Sequence, residues 1–162
     1  IRSARVERHF PDRLMISLVE RNPVAIWQDQ GRFSLIDIDG NEIGNEGIGR
    51  FSHLKVVVGK GAPDKVAGLL RVLAEAPELR QQVTAAVWVG NRRWNLKLNN
   101  EIDIRLPEKE PLKAWRKLAA LEKEHGLFDR EIRAIDLRQP DRLVVRVTEK
   151  GRKVMQDVGD ET

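Results

Sequence analysis

The chain has 162 residues, 41% hydrophobic and 33% charged, which supplies a packed core for one mid-sized domain and excludes disorder outside the ends. It has no cysteine, so disulfides, zinc–thiolate centres and thiol nucleophiles are excluded; 29 Lys and Arg against 25 Asp and Glu leave a net charge of +4, a small surplus on a surface rich in both signs. No apolar run approaches the ~20 residues that span a bilayer. No signal-peptide pattern is present, and Ile1-Arg-Ser-Ala-Arg5 is expected to open a piece of a longer protein whose anchor lies upstream.

The first segment pairs Arg2–Arg8 with Arg13–Arg21 across His9-Phe-Pro-Asp12, because Pro-Asp suits a turn and both flanks are rich in Val, Leu and Ile. A two-stranded ribbon is marginal alone, so a larger sheet or earlier residues must complete it. Asn22-Pro23 marks a boundary, since proline bars the preceding residue from the helical region and breaks a ladder.

Val24–Gln28 and Arg32–Ile38 follow as strands joined across Asp29-Gln-Gly31. Asp39-Gly40 is a hairpin turn into Asn41–Ile43, and the glycine-rich Gly44–Arg50 is a loop. Leu54–Val58 is a continuous apolar strand. Ala62-Pro-Asp64 starts a helix whose Val66, Leu69, Leu70 and Leu73 recur at helical spacing, and Pro77 ends or restarts it.

Val83–Val89, Arg93–Leu98 and Glu101–Leu106 alternate with period two, with Asn99-Asn100 as the turn between the last two. Lys109–His125 is a second amphipathic helix, with Leu112, Trp115, Leu118, Ala119 and Glu122 at steps of three and four, stopped by Gly126. Ile132–Arg138 and Arg142–Val147 close the fold as a hairpin, and beyond Lys150 a polar tail is expected to fray. The expected class is α+β, a mainly antiparallel sheet with two amphipathic helices.

Motifs for chemistry fail on inspection. Gly59-Lys-Gly61 sits between a strand and a helix, but Asp64 stands where a dinucleotide loop needs its third small residue, and Pro63 removes an amide. Asp37-Ile-Asp39-Gly-Asn41 begins like a calcium loop, yet Glu42 replaces the required glycine and Ile48 the bidentate acid, so a hairpin turn accounts for it better. His9, His53 and His125 lie far apart with no catalytic spacing. Arg92-Arg93-Trp94 is the best basic–aromatic cluster, but the chain lacks Tyr and is only 5% aromatic, poor material for nucleic-acid stacking. The residues therefore lead to the expectation of a non-enzymatic protein with no cofactor, metal or nucleic-acid partner.

Arg142–Val147 differs from these. A last strand is a sheet edge, whose unpaired backbone groups invite another chain. Alternation directs Leu143, Val145 and Val147 to the core and Arg142, Val144 and Arg146 outward, where arginines can meet acidic partner side chains. The same arginines also fit a plain guard against aggregation.

Several stretches together resemble one family, the bacterial cell-division protein FtsQ (DivIB in Gram-positive organisms). Val6-Glu-Arg-His-Phe-Pro-Asp-Arg-Leu14 running into Leu18-Val-Glu-Arg-Asn-Pro-Val-Ala-Ile-Trp27 resembles the last two POTRA strands passing into the β domain. Leu35-Ile-Asp37 with Gly40, Trp94-Asn-Leu-Lys-Leu-Asn-Asn100, and Ile135-Asp-Leu-Arg138 with Pro140-Asp-Arg142 resemble the family's later strands in the same order.

The resemblance implies the end of a POTRA domain at 1–22, without its first strand and two helices, a β domain at 23–150 and a polar tail at 151–162. It also implies a single-pass inner-membrane protein at the division septum, with this region periplasmic and its membrane segment outside this chain. The implied role is a scaffold that recruits FtsB and FtsL by strand addition at its last strand, with a route to other septal proteins through the POTRA part. Carried over by position, the basic assistants are Arg92, with Arg93 as the alternative register, and Arg138. The docking edge is Gln139 with Arg142, Leu143, Val144, Val145, Arg146 and Val147. Gln139 stands where some relatives have an aromatic, which shifts apolar anchoring toward Val144. The alternative is a POTRA-type secretion or outer-membrane assembly module that binds extended polypeptides promiscuously.

Overall fold

The computed structural model describes residues 3–99 and 101–151, so Arg2, the Asn100 half of the expected turn and tail residues 152–162 lie outside the described residues. Two sheets form. The first is a ribbon of β1 (Ser3–His9) and β2 (Arg13–Val19), paired antiparallel with Val6 opposite Ile16 and Arg8 opposite Leu14. Period-two alternation puts Val6, Leu14, Ile16 and Leu18 on one face, and all four are exposed among the described residues.

The second sheet has nine strands: β3 (Ala25–Asp29), β4 (Arg32–Ile36), β5 (Glu42–Gly44), β6 (Lys55–Val58), β7 (Val83–Val89), β8 (Arg93–Leu98), β9 (Asp103–Arg105), β10 (Ile132–Asp136) and β11 (Val144–Val147). Their order across the sheet is β11-β10-β9-β8-β7-β6-β3-β4-β5.

Most neighbours are antiparallel, but β3–β6, β6–β7 and β9–β10 run parallel, which the sequence reading of successive hairpins did not foresee. For the last two the cause is the helices, whereas β3 reaches β6 through β4, β5 and the loop that follows. Parallel neighbours need a long crossover; α1 (Val66–Ala74) with α2 (Pro77–Gln82) provides it between β6 and β7, and α3 (Pro111–His125) between β9 and β10. Pro77 takes the first turn of α2, where its missing N–H costs nothing, so it restarts the helix. Gly126, left-handed at φ 55°, ends α3 and donates its N–H to the Glu122 carbonyl. β9 is shorter than expected because Glu101 turns through φ 63°; Ile102, Ile104 and Leu106 are buried all the same.

Helices and sheet share one core, with Leu69 and Leu73 of α1, Trp115 and Leu118 of α3, and Leu96, Ile104 and Ile135 from the strands. The ribbon is tied to this body at its base. Arg21 donates to the Asp37 carboxylate, which also accepts from the backbone N–H groups of Asp39 (3.0 Å) and Asn41 (2.8 Å) and from the Asn41 side-chain amide. Asp37 is only 3% exposed. Burial pushes its carboxyl up, yet the Asn41 and Arg21 hydrogen bonds and the Arg21 charge outweigh that and hold it below its ordinary value. The acid-rich stretch that imitates a calcium loop is thus a turn closed by its own side chain and an arginine.

Candidate partner-docking edge

β11 ends the sheet among the described residues, with β10 on one side and no strand on the other. It pairs antiparallel with β10, Asp136 opposite Val144 and Ile135 opposite Val145, across a bulge between Ile132 and Ala134. Leu143 and Val145 are half-buried and pack against the core; Val147 is half-buried too. Arg142, Val144 and Arg146 are exposed, Val144 by 48%. The side chains therefore alternate as period two requires.

The backbone alternates as well, in a way the sequence does not reveal. Thr148 donates its N–H inward to the Glu131 carbonyl at 2.8 Å. In an antiparallel ladder the main-chain groups of successive residues point to opposite sides. Arg146 and Val144 therefore also face β10, while Val145 and Val147 present N–H and C=O to the open edge.

Beside the start of β11 lies a cleft of about 420 Å³ lined by Arg92, Arg93, Arg138, Gln139, Arg142 and Val144, with Glu108 and Asp136 as counter-charges. The fold thus gathers Arg92 from the β7–β8 turn, Arg93 from the start of β8, Arg138 from just beyond β10, and the loop leading into β11. Val145, Arg146, Val147 and Leu143 belong to the strand rather than to the cleft wall.

Arg138 is not a free cation. Its Nε donates to both Asp136 carboxylate oxygens, at 2.9 and 3.0 Å, and its Nη2 to Oδ2 at 2.6 Å, with Arg105 Nη1 at 3.8 Å from the same oxygen. The sequence reading missed Asp136 and Arg105 here. The signal was present in Asp136-Leu-Arg138, since an Asp side chain can accept the backbone N–H two residues on, here from Arg138 at 3.1 Å, and so bring the guanidinium back to its carboxylate. Arg93, which lines the cleft, has its Nε buried with no hydrogen-bond partner among the described residues, so polar capacity remains there.

The Arg138 hydrogen bonds, with burial working against them and the charges of Arg138 and Arg105 assisting, hold the Asp136 carboxyl below its ordinary value. A depressed carboxylate stabilises the fold above the unfolded-state value, and that contribution disappears as pH falls through the folded-state value. The thermal midpoint is therefore expected to fall on acidification below about pH 4. Asp136→Asn should remove part of that dependence, and equal slopes for the two proteins between about pH 5 and 2 would refute the assignment. Asp37 contributes in the same direction, so the slope is reduced rather than abolished.

Among the described residues, no three His, Asp or Glu side chains gather as a metal site, and no helix is long and apolar enough to cross a membrane. Gly59-Lys60-Gly61 is a strand-to-helix turn in which the Gly59 carbonyl accepts from Trp27 Nε1 at 2.9 Å.

Residues 25–138 match the family described as cell division protein FtsQ/DivIB, C-terminal. The chain is 43% identical over 157 residues to the cell division protein FtsQ of Bradyrhizobium diazoefficiens, covering 97% of this chain and 46% of that protein. It is 39% identical to FtsQ of Bartonella bacilliformis over 150 residues, covering 93% of this chain and 49% of the relative. It is also 39% identical to FtsQ of Rickettsia felis over 145 residues, covering 90% and 54%. The chain thus spans about half the length of the curated relatives it matches.

Proposed function

The chain belongs to the FtsQ/DivIB family of cell-division proteins, and from that premise we propose that it is a non-enzymatic divisome scaffold whose β11 edge recruits the FtsB–FtsL pair by strand addition. The observation that carries the proposal is the open edge of β11, with Val145 and Val147 presenting main-chain groups beside a cleft bearing four arginines. Main-chain hydrogen bonds give such an interface its affinity, and flanking side chains give it specificity. Arg92, Arg93 and Arg142 supply charge to meet acidic partner side chains. Arg138, bound to Asp136, acts chiefly by shaping the cleft.

In this reading β1 and β2 close a POTRA domain whose remaining elements cover the apolar face of Val6, Leu14, Ile16 and Leu18. The whole protein is anchored in the inner membrane by a segment outside this chain, holds this region in the periplasm, and links its partners to septal wall synthesis.

The test is a calorimetric titration with a peptide from the C-terminal periplasmic region of the FtsB-like protein of the same organism. Saturable binding of that peptide, and not of unrelated extended peptides, is expected. Equal binding of any extended peptide would favour an assembly module instead, and no binding at all would remove the edge as the docking site. Arg92→Glu and Arg142→Glu are each expected to weaken binding about three- to tenfold at low salt. That difference should shrink toward high ionic strength, since exposed charges are screened over about 10 Å at 0.1 M.

A further inference from the structure

A second groove continues from the cleft around the start of β11. It measures about 420 Å³ and runs between the first turns of α3 and the loop after β10, sharing Glu108, Arg138, Gln139 and Arg142 with the cleft. Its apolar wall is made by Pro107, Ala114, Leu137 and Pro140. Its rim carries Lys109, Lys113 and Lys117, spaced four apart so that the last two stand one helical turn from each other.

All three lysines are exposed, and neither they nor Arg142 has an ion pair among the described residues. Arg138 is already held by Asp136, so the free cations here are Lys109, Lys113, Lys117 and Arg142 against Glu108 and Glu110, four against two, a net charge of +2. A groove with an apolar wall and a surplus of free cations complements an acidic segment carrying intervening apolar side chains.

We propose that this groove seats an acidic segment of the partner polypeptide, the one that follows the strand docked antiparallel on β11. The inference rests on the docking edge described above and gives that edge a direction. β11 runs from Val144 to Val147, so an antiparallel strand leaves the sheet at Val144, where the groove begins. Antiparallel addition is also the slightly more stable pairing per residue. The segment beyond the strand then passes over Arg142 and reaches the lysines of α3.

The experiment uses three forms of the FtsB-like strand peptide: the peptide itself, the same peptide with four glutamates added at its C-terminus, and one with them at its N-terminus. Each is titrated into the wild-type chain and into the Lys113→Glu/Lys117→Glu double variant. The C-terminal tail is expected to tighten binding to wild type about tenfold at low salt and to give no gain on the variant, while the plain peptide binds both proteins equally. That equality also shows that the variant is folded. A tail gain that survives in the variant, or one found only with the N-terminal tail, overturns the proposal. Failure of the plain peptide to bind wild type instead overturns the docking edge itself, and the groove proposal falls with it.

Discussion

Val145→Pro is expected to lower affinity for the partner strand more than tenfold while the domain stays folded. The Val145 N–H faces the open edge, by alternation from the inward Thr148 N–H. Proline removes that donor and places its ring where the incoming strand must lie. Edge strands tolerate proline where the lost N–H points away from the sheet, so the β10–β11 ladder should survive. A neutral hydrogen bond contributes about 1 kcal/mol net, and a buried acceptor left without its donor costs about 1–3 kcal/mol, which together give the tenfold figure or more.

Val144→Pro is the informative contrast. Val144 is the more exposed residue and the obvious choice from sequence, but its N–H faces β10 opposite Asp136. That substitution should lower the thermal midpoint and detach β11, so any loss of binding there reports loss of the strand. The two variants are separated by circular dichroism melting followed by the peptide titration. A Val145→Pro domain that is folded and binds as tightly as wild type would end the case for strand addition at this edge.

Which residues alternate was legible in the sequence; where their backbone groups point was not. Core-facing Leu143 and Val145 and the outward Arg142, Val144 and Arg146 follow from period two alone. The inward turn of the Val144 amide depends on the pairing between β10 and β11, fixed by Thr148 and Glu131, which lie outside the strand's apolar pattern. The helices were legible too, because Leu69, Leu73, Trp115 and Leu118 repeat at helical spacing and are buried.

The sheet order was less accessible. Leu54–Val58 follows a glycine-rich loop and resembles the next strand of a meander. Instead, β6 slots between β3 and β7: the chain returns from β5 to the other side of β3, and α1 and α2 then carry it across one face of the sheet to β7. Spacing in the chain records that a helix intervenes; it does not record which neighbour the strand reaches. The charges of the cleft show the same division. Arg92, Arg93, Arg138 and Arg142 stand out in the sequence, but the engagement of Arg138 with Asp136 emerges only when the chain turns after β10 and the Asp136 side chain takes the Arg138 backbone N–H.

Gly40→Ala is expected to be the most damaging small substitution at the base of the ribbon, costing about 3 kcal/mol, with Gly31→Ala as its control. Both glycines hold positive φ, 82° and 77°. A non-glycine residue in that region costs about 1–2 kcal/mol whatever surrounds it. Around Gly31 an added Cβ meets nothing within 4 Å, so that penalty is the whole effect. At Gly40 the added Cβ would lie 2.6 Å from the Pro63 carbonyl oxygen and 2.9 Å from its carbon, both backbone atoms that no rotamer change can move. Forcing the turn away from the start of α1 adds an overpacking cost of about 1–3 kcal/mol.

Chemical denaturation of the two variants should therefore give a clearly larger loss for Gly40→Ala. Equal losses would show that the 37–41 turn does not depend on its contact with Pro63. The same turn holds Arg21 through Asp37, so loosening it should also free the ribbon from the sheet, seen as faster amide exchange at Glu20, Arg21, Asn22 and Val24. Peptide binding at β11 provides the last discrimination. β4 and β5 lie at the opposite end of the nine-stranded sheet, so a Gly40→Ala domain that remains folded should bind the partner peptide with unchanged affinity. A weakened affinity in that folded variant would mean that the ribbon's attachment reaches the docking edge across the whole sheet.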